Sequence, residues 1–217
     1  MARTRAADYD IQRDRILARA VEAFARTGYA AASMSMLAAA CKVSKATLYH
    51  YYPSKQALLF EALDRYTRRL IAVVDKVASD PTTSPRDRLR STLRALMTEY
   101  RDSHAYHAAL LHDLRFLAPD QAEQVRAQQR AVVSALGALI EHAAPGATIS
   151  AERSVITMAL LGMINFTFAW LKPDGPVSHE RFADLAARLW LDGLDGLTDP
   201  PVSAENTSHE QAVRIEG

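Results

Sequence analysis

The feature that most constrains the fold of this chain is a pair of short helical segments separated by only three residues. Ser33 is a suitable N-cap for the first segment, which extends to about Ala40, and Ser44 is one for the second, which extends to about His50. The linker between them is Cys41-Lys42-Val43. Two short helices joined by such a turn are typical of a helix-turn-helix, so we expect a compact helical unit in this region.

The rest of the chain has helical periodicity. Apolar residues recur at intervals of three and four, strand-like alternation is scarce, and prolines mark the breaks. After Pro53, one long segment carries an apolar stripe formed by Leu59, Leu63, Tyr66, Leu70, Val73 and Val77. A stripe of this length allows one helix to cover two neighbouring units. The pattern predicts an all-α fold of about nine helices.

We divide the chain into three parts. Residues 1–56 form a three-helix domain that contains the helix-turn-helix, and residues 57–197 form a larger helical domain. Residues 198–217 are polar and contain proline, which predicts a disordered tail. Within the larger domain we predict helices over about 103–116 and 150–171, and a last helix that Ser178 caps.

The charge distribution is uneven. The chain has a net charge of +1 at pH 7, yet residues 1–60 carry nine Lys or Arg against four Asp or Glu, which leaves the remainder at −4. A basic head on an acidic body suggests that the head binds a polyanion. The chain has one cysteine, no signal peptide and no apolar run long enough to cross a membrane, so we expect a cytoplasmic protein with no membrane partner.

The N-terminal unit resembles the DNA-binding domain of the TetR family of repressors over about residues 13–63. The residues that carry the resemblance are Arg15-Ile16-Leu17, Ala20, Phe24, Gly28-Tyr29, Leu37-Ala38, Val43-Ser44, the run from Thr47 to Lys55, and Leu58. Two positions depart from the family pattern. Ala32 replaces a common Ser or Thr cap, and Lys42 replaces the usual turn glycine, which would cost about 1 kcal/mol if its φ is positive.

The resemblance implies that the second short helix lies in the major groove of a double-stranded operator. Lys45 can donate to guanine O6 or N7, and the Thr47 methyl group can pack on thymine. Tyr49 and His50 can donate to phosphates, and Lys55 would bind one phosphate together with free backbone N–H groups. The predicted DNA-contacting residues are Ser33, Ser44, Lys45, Thr47, Tyr49, His50, Tyr52 and Lys55, and Tyr51 is assigned to the core. The alternative is that the aromatic residues only pack.

For the larger domain, the resemblance implies a small-molecule site and a homodimer formed by the last two helices. The eighth predicted helix is apolar on two sides. One stripe is Ile156, Leu160, Met163 and Thr167, and the other is Val155, Ala159, Gly162 and Phe166. The ninth helix offers Phe182, Leu185, Leu189 and Leu194. Two helices from each protomer would form a four-helix interface, although the stripes are also compatible with internal core.

Segments around 112–117 and 162–176 resemble TetR regulators that sense acyl-CoA thioesters. Such a ligand needs an apolar tunnel with basic residues at its mouth. The predicted ligand-binding residues are Met97, Arg101, Leu111, Arg115, Phe116, Phe168 and Trp170, and Arg126 is a further candidate for phosphate contact. Taken alone, each of these apolar residues is more often plain core, and each arginine is more often solvated surface. A regulator of efflux or stress genes that senses a hydrophobic drug-like or aromatic ligand is the alternative.

An enzyme is the competing class. The chain has no Gly-x-Ser-x-Gly, no phosphate loop and no dinucleotide-binding glycine motif, so we predict no catalytic residues and no cofactor. His104, His107 and His112 fall near one arc of the predicted sixth helix, but no thiolate joins them. We therefore predict no metal site.

Overall fold

The fold is entirely helical in the part of the chain that the computed structural model describes, which is residues 2–78, 82–144 and 150–196. Side chains are described for residues 8–78, 82–144 and 152–193. The α-helices are α1 (Ala2–Thr27), α2 (Met34–Cys41), α3 (Lys45–Tyr51), α4 (Lys55–Ala78), α5 (Pro85–Asp102), α6 (His104–His112), α7 (Pro119–Ala143), α8 (Ser150–Asn165) and α9 (His179–Gly196). The predicted fold class is confirmed, whereas the predicted tail, residues 198–217, lies outside the described ranges.

Side-chain caps begin the two short helices at the predicted positions. Ser33 Oγ accepts a hydrogen bond from the Met36 N–H at 3.2 Å, and Ser44 Oγ accepts one from the Thr47 N–H at 3.0 Å. Both serines have extended backbone, as N-cap residues do. The helix-turn-helix is therefore specified by local hydrogen bonding that can be predicted from the sequence.

Two predicted helices end early and continue as 3₁₀ turns. After α6 the chain forms a 3₁₀ helix at Leu114–Phe116, and after α8 it forms another at Phe166–Ala169. Pro119 requires its predecessor Ala118 to be extended, with ψ at 152°, so a continuous helix into α7 is not possible. Near the end of α8, Thr167 Oγ1 donates to the Ile164 carbonyl at 2.5 Å, which suits the tighter turn.

The core of the head forms where α1 meets α2, α3 and the start of α4. The predicted α1 face, Ile16, Leu17, Ala20 and Phe24, is at most 2% exposed. Leu37 from α2 and Leu48 from α3 are fully buried against it. These contacts hold α2 and α3 at a constant angle, and they leave the opposite side of α3 at the surface.

Helix α4 is shared between the head and the body. It contacts α1 at one end and packs against α5, α6 and α7 along the rest of its length. The first four residues of its predicted stripe, Leu59 to Leu70, are buried, but Val74 is buried in place of Val73 and Val77. None of the described helices is long and apolar enough to cross a membrane.

Lys55 stabilises the head internally. Its Nζ donates to three backbone carbonyls, those of Tyr29 at 2.9 Å, Ala30 at 3.2 Å and Ala32 at 2.9 Å. It also lies 4.5 Å from the centre of the Tyr29 ring. The ammonium group thus closes the loop between α1 and α2, and the prediction that it binds a DNA phosphate is wrong for this conformation. Its three donors are already engaged.

Lys42 adopts the strained conformation that the turn requires. Its φ is 57° and its ψ is 42°, and no other non-glycine residue in the described ranges has a positive φ. The turn closes α2 with two hydrogen bonds, from Lys42 N to Ala39 O at 3.1 Å and from Val43 N to Ala38 O at 3.0 Å. The departure from the family glycine therefore leaves the backbone geometry of the turn in place.

We expect Lys42→Gly to raise the free energy of unfolding by about 1 kcal/mol, because glycine has no Cβ to strain a left-handed backbone. Lys42→Ala is the matched control, since it removes the charge and keeps the Cβ. Urea unfolding of the three proteins checks this. Equal stability of the glycine and alanine variants would contradict the strain argument.

We expect Lys55→Met to lower the free energy of unfolding by about 1.5–3 kcal/mol, because three carbonyls lose a charged donor. Lys45→Ala is the control, since Lys45 is exposed. Thermal unfolding followed by circular dichroism measures both. If both variants were as stable as the parent chain, the structural role of Lys55 would be incorrect.

Candidate DNA-binding surface and ligand cavity

The exposed side of α3 carries the residues suited to contact DNA. Lys45, Ala46, Tyr49 and His50 are exposed, and the Lys45 ammonium lies 6.0 Å from the centre of the Tyr49 ring. Leu48 on the opposite side is fully buried and anchors the helix. Because α3 is only seven residues long, residues in its first turn and at its C-terminal end can contact the same DNA groove.

The predicted serine and threonine contacts are engaged as caps. The hydroxyl groups of Ser44 and Thr47 lie 2.8 Å apart, in addition to the cap bond that Ser44 accepts. Ser33 and Ser44 are exposed, whereas Thr47 is half-buried. These three side chains thus lie at the ends of α2 and α3, and a cap oxygen still has a free lone pair.

The two adjacent tyrosines are both packed within the head. Tyr52 is 1% exposed, with the Arg13 guanidinium 5.5 Å from its ring centre, so the prediction that its side chain contacts DNA is wrong. Tyr51, assigned to the core, is half-buried and stacks on the exposed Tyr9 at 4.6 Å. The reason is that Tyr52 follows the last helical residue with φ −138°, so helical spacing no longer predicts where it points.

A cavity of about 370 Å³ lies in the body between α4, α5, α6, α7 and α8. Its apolar walls are formed by Leu70, Leu110, Leu111, Val132, Val133, Met158 and Leu161. Polar side chains also line it, namely Thr67, Tyr100, His107, Arg126, Gln129, Arg130 and Asn165. A mostly apolar cavity with a few polar groups is the usual form of a small-molecule site.

Three of the polar residues that line the cavity, Tyr100, His107 and Asn165, form a connected cluster with Tyr66 behind them. The Tyr66 hydroxyl lies 3.1 Å from His107 Nδ1, and the Tyr100 ring stacks on the His107 ring at 3.9 Å. Tyr100 also donates to Asn165 Oδ1 at 2.8 Å. Burial lowers the pKa of His107 to about 4, an effect that the Asn165 backbone only partly offsets. The imidazole is therefore neutral at pH 7.

A cationic groove adjoins the cavity. It is lined by Leu111, His112, Leu114, Arg115 and Arg126, and it shares Leu111 and Arg126 with the cavity. Arg115 and Arg126 are exposed. The cavity therefore adjoins a surface on which the guanidinium groups of Arg115 and Arg126 can bind an anion.

Two of the seven predicted ligand-binding residues are at this site. Leu111 lines both the cavity and the groove, and Arg115 lines the groove. Met97 is fully buried, and its sulfur lies 3.9 Å from the Thr167 hydroxyl. Arg101 contacts Glu180 and Asp102 at the surface. Neither Met97 nor Arg101 lines the cavity or the groove, so the structure does not support their assignment.

The three predicted aromatic residues lie elsewhere. Phe116 stacks on Tyr29 of the head at 4.8 Å, and Trp170 is 51% exposed. Phe168 packs between His107 and His112, with ring-centre distances of 6.3 and 5.3 Å, and does not line the cavity. The assignment failed because apolar character predicts burial and does not reveal which neighbour a side chain meets.

The sequence analysis missed most of the cavity wall. Gln129, Arg130 and Val133 come from α7, on which only Arg126 was a candidate, and Asn165 comes from the end of α8. His107 was noted only as one of three histidines. Those three do not converge, since His104 bonds to the Phe168 carbonyl at 3.2 Å. No cluster of three or more potential metal ligands exists in the part of the chain that the structure describes.

The surfaces of α8 and α9 expose large apolar side chains. Val155 on α8 is 69% exposed, Phe166 in the 3₁₀ helix that follows is 63% exposed, and a Cβ added at Gly162 would meet no atom within 4 Å. On α9, Leu189 is 70% exposed and Leu185 is also exposed, whereas the side chain of Leu194 lies outside the described ranges. The opposite α8 stripe faces inward. Leu160 and Thr167 are buried, and Ile156 and Met163 are half-buried.

Solved structures of other proteins have a similar fold. A crystal structure of a TetR-family transcriptional regulator from Bordetella parapertussis has 33% sequence identity and a TM-score of 0.78, over 83% of this chain and 94% of that chain. The crystal structure of AibR in complex with isovaleryl coenzyme A and operator DNA has 26% identity and a TM-score of 0.73, over 82% and 97% of the two chains.

A curated relative from Bacillus subtilis, the HTH-type transcriptional regulator YerO, is 27% identical over 101 residues. That match covers 46% of this chain and 35% of YerO, so the chain spans about a third of this relative. Residues 16–62 match the family described as bacterial regulatory proteins of the tetR family, and residues 82–194 match the tetracyclin repressor-like C-terminal domain. The protein therefore belongs to the TetR family of DNA-binding transcriptional regulators.

Proposed function

We propose that this protein is a cytoplasmic, homodimeric repressor that an acyl-CoA thioester releases from a palindromic operator. The observation that carries the proposal is the cavity with its cationic groove, which can hold an apolar acyl group and an anionic carrier side by side. The exposed face of α3 supplies the DNA contacts, and the apolar faces of α8 and α9 supply the dimer contact.

The exposed face of α3 and the basic charge of the head support the DNA contacts. Lys45 is accessible at the first turn of α3 and suits a guanine edge, while Tyr49 and His50 suit phosphates. Three hydroxyl groups lie at helix ends next to this surface and add contacts to the DNA backbone, namely those of Ser33, Ser44 and Thr47. The net charge of +5 in residues 1–60 favours the approach of this face to DNA.

Exposed apolar side chains on and near α8 and α9 support the dimer contact. Val155, Phe166 and Leu189 are each more than 60% exposed, and exposed patches of large apolar side chains mark interaction sites. Gly162 lets a second backbone approach closely. A two-fold axis through α8 and α9 would bury this surface and present two copies of α3 to the two halves of a palindrome.

The size of the cavity and the charge of the groove support an acyl-CoA effector. At roughly 30 Å³ for each water-sized group, the cavity holds on the order of twelve non-hydrogen atoms. A short acyl chain fits this space, and the coenzyme A phosphates would bind Arg115 and Arg126 in the groove. The similar structure of AibR was solved with isovaleryl coenzyme A, which is a short-chain thioester.

The signal has a direct route to the head. Helix α6 forms one wall of the cavity and leads into the 3₁₀ helix Leu114–Phe116. Phe116 stacks on Tyr29, and its carbonyl accepts a hydrogen bond from Gln56 at 3.1 Å. A ligand that binds better when α6 is displaced would therefore move the head and favour the released state.

We expect operator binding to weaken steeply with salt and Lys45→Ala to relax base preference at one position in each half-site, at a cost of about 1–3 kcal/mol. Tyr49→Phe should weaken binding to all sequences alike, because it removes only a phosphate contact. Fluorescence anisotropy with operator variants measures this, and Lys172→Ala, an exposed lysine of the body, is the control. A Lys45→Ala protein with parental base preference would remove Lys45 from the base-reading residues.

We expect butanoyl-CoA to release the operator and octadecanoyl-CoA to act more weakly, because an eighteen-carbon chain exceeds a cavity that holds on the order of twelve atoms. Arg126→Ala should weaken butanoyl-CoA binding about tenfold through the lost phosphate contact. Arg101→Ala is the control, since Arg101 contacts Glu180 outside the site. Calorimetry and gel shift measure binding and release. If no thioester binds, the effector class is wrong, and uncharged aromatic ligands that fill the cavity without Arg126 become the alternative.

A further inference from the structure

We propose that His107 recognises the effector by donating a hydrogen bond from Nε2–H to a carbonyl oxygen inside the cavity. This inference rests on the proposed function in one respect, because it assumes that the effector occupies the cavity. It adds a specificity-determining residue and a chemical criterion. The regulator would respond to ligands that place a carbonyl group next to His107, such as thioesters, and would discriminate against analogues without one.

The starting observation is an unsatisfied polar atom. His107 is 2% exposed and lines the cavity. The Asn165 backbone lies near enough to the ring to raise its pKa, yet Nε2 makes no hydrogen bond of ordinary distance and angle with any residue that the structure describes. Buried polar groups are nearly always paired, since leaving one unpaired costs free energy. A ligand atom in the cavity is in a position to supply the missing partner.

The neighbouring tyrosine decides which partner Nε2 needs. Tyr66 is fully buried, and its hydroxyl lies 3.1 Å from His107 Nδ1. We assign the Tyr66 hydroxyl as the donor, because a buried phenol is stabilised by donating its proton and Nδ1 is the acceptor within reach. In a neutral imidazole whose Nδ1 accepts, the proton is on Nε2. Nε2–H is therefore a donor, and the matching ligand group is an acceptor.

The environment of the ring further limits the acceptor to an uncharged one. Desolvation lowers the pKa of His107 to about 4, so the ring carries no charge that would stabilise a carboxylate at this depth. Burying a carboxylate beside a neutral donor costs more than burying a carbonyl group. The geometry therefore favours an ester-like or thioester carbonyl over a free acid at this position.

Two further residues support the same orientation. The Tyr100 ring stacks on the imidazole at 3.9 Å and limits its rotation. Tyr100 also donates to Asn165 Oδ1, which leaves the Asn165 amide N–H groups to face a ligand. Since Asn165 lines the same cavity, a carbonyl oxygen near His107 has a second potential donor.

The test compares two ligands that differ only at the carbonyl group. Butanoyl-CoA is the thioester, and S-butyl-CoA is the thioether in which a methylene replaces the carbonyl group. Calorimetry without DNA measures both dissociation constants for the full-length protein. We expect the parent protein to bind the thioester at least about tenfold more tightly. His107→Leu should lose this preference, and His107→Gln, which keeps an N–H donor, should retain part of it.

The controls separate recognition from folding. His104→Gln changes a histidine that does not line the cavity, so the preference should be unchanged. Binding of S-butyl-CoA to His107→Leu shows whether that variant retains a folded site. If S-butyl-CoA does not bind to His107→Leu, two other measurements decide whether His107 recognises the carbonyl group. They are the comparison of His107→Gln with the parent protein and nitrogen-15 NMR of the His107 ring. An Nδ1–H tautomer in the parent protein would overturn the proposal.

The outcomes also distinguish this inference from the proposed function. If the parent protein binds the thioester and the thioether equally well and both release the operator, the acyl-CoA effector stands and the role of His107 is wrong. If neither compound binds, both are wrong. A thioester preference that disappears only in the His107→Leu variant supports the proposal.

Discussion

The continuous burial of helix α4 is the constraint on which the rest of the structure depends. Its apolar side from Leu58 to Leu70 is buried first against the head and then against the body. At its N-terminus Lys55 closes the loop between α1 and α2 with three hydrogen bonds, and further along Thr67 and Leu70 line the cavity. One helix therefore joins the head to the body that contains the cavity, so a displacement of α4 in the body would also change its contacts with the head.

A second connection runs parallel to α4. Helix α6 contributes His107, Leu110 and Leu111 to the cavity, and the 3₁₀ helix that follows it places Phe116 on the head. This geometry gives the proposed release mechanism a physical basis, because the same segment lines the cavity and contacts the head. A phenylalanine that resembles a tunnel residue in the sequence thus packs on Tyr29 of the head in the structure. In the proposed function, a ligand would shift an equilibrium between two arrangements of this packed unit.

Sequence reasoning succeeded where the interactions are local. The caps at Ser33 and Ser44 and the strained turn at Lys42 depend on residues no more than a few positions apart. It failed at Tyr52 and Lys55, which are both near the end of the recognition unit. Tyr52 turns towards α1, and Lys55 reaches carbonyls more than twenty positions earlier in the chain. A lysine beside a helix N-terminus suits a phosphate equally well, so only the fold distinguishes the two roles.

The sequence by itself determined the all-α fold, the helix-turn-helix, the basic head and the two-sided character of α8. These features follow from periodicity, capping and charge, which are properties of neighbouring residues. Only the tertiary structure decided which side chains enclose the cavity. The cavity brings together Tyr100, His107 and Asn165, and His107 contacts Tyr66 behind it. These four residues come from four helices and are up to about a hundred positions apart. Their mutual distances are set by how the helices pack, and the same apolar and polar pattern is compatible with several packings.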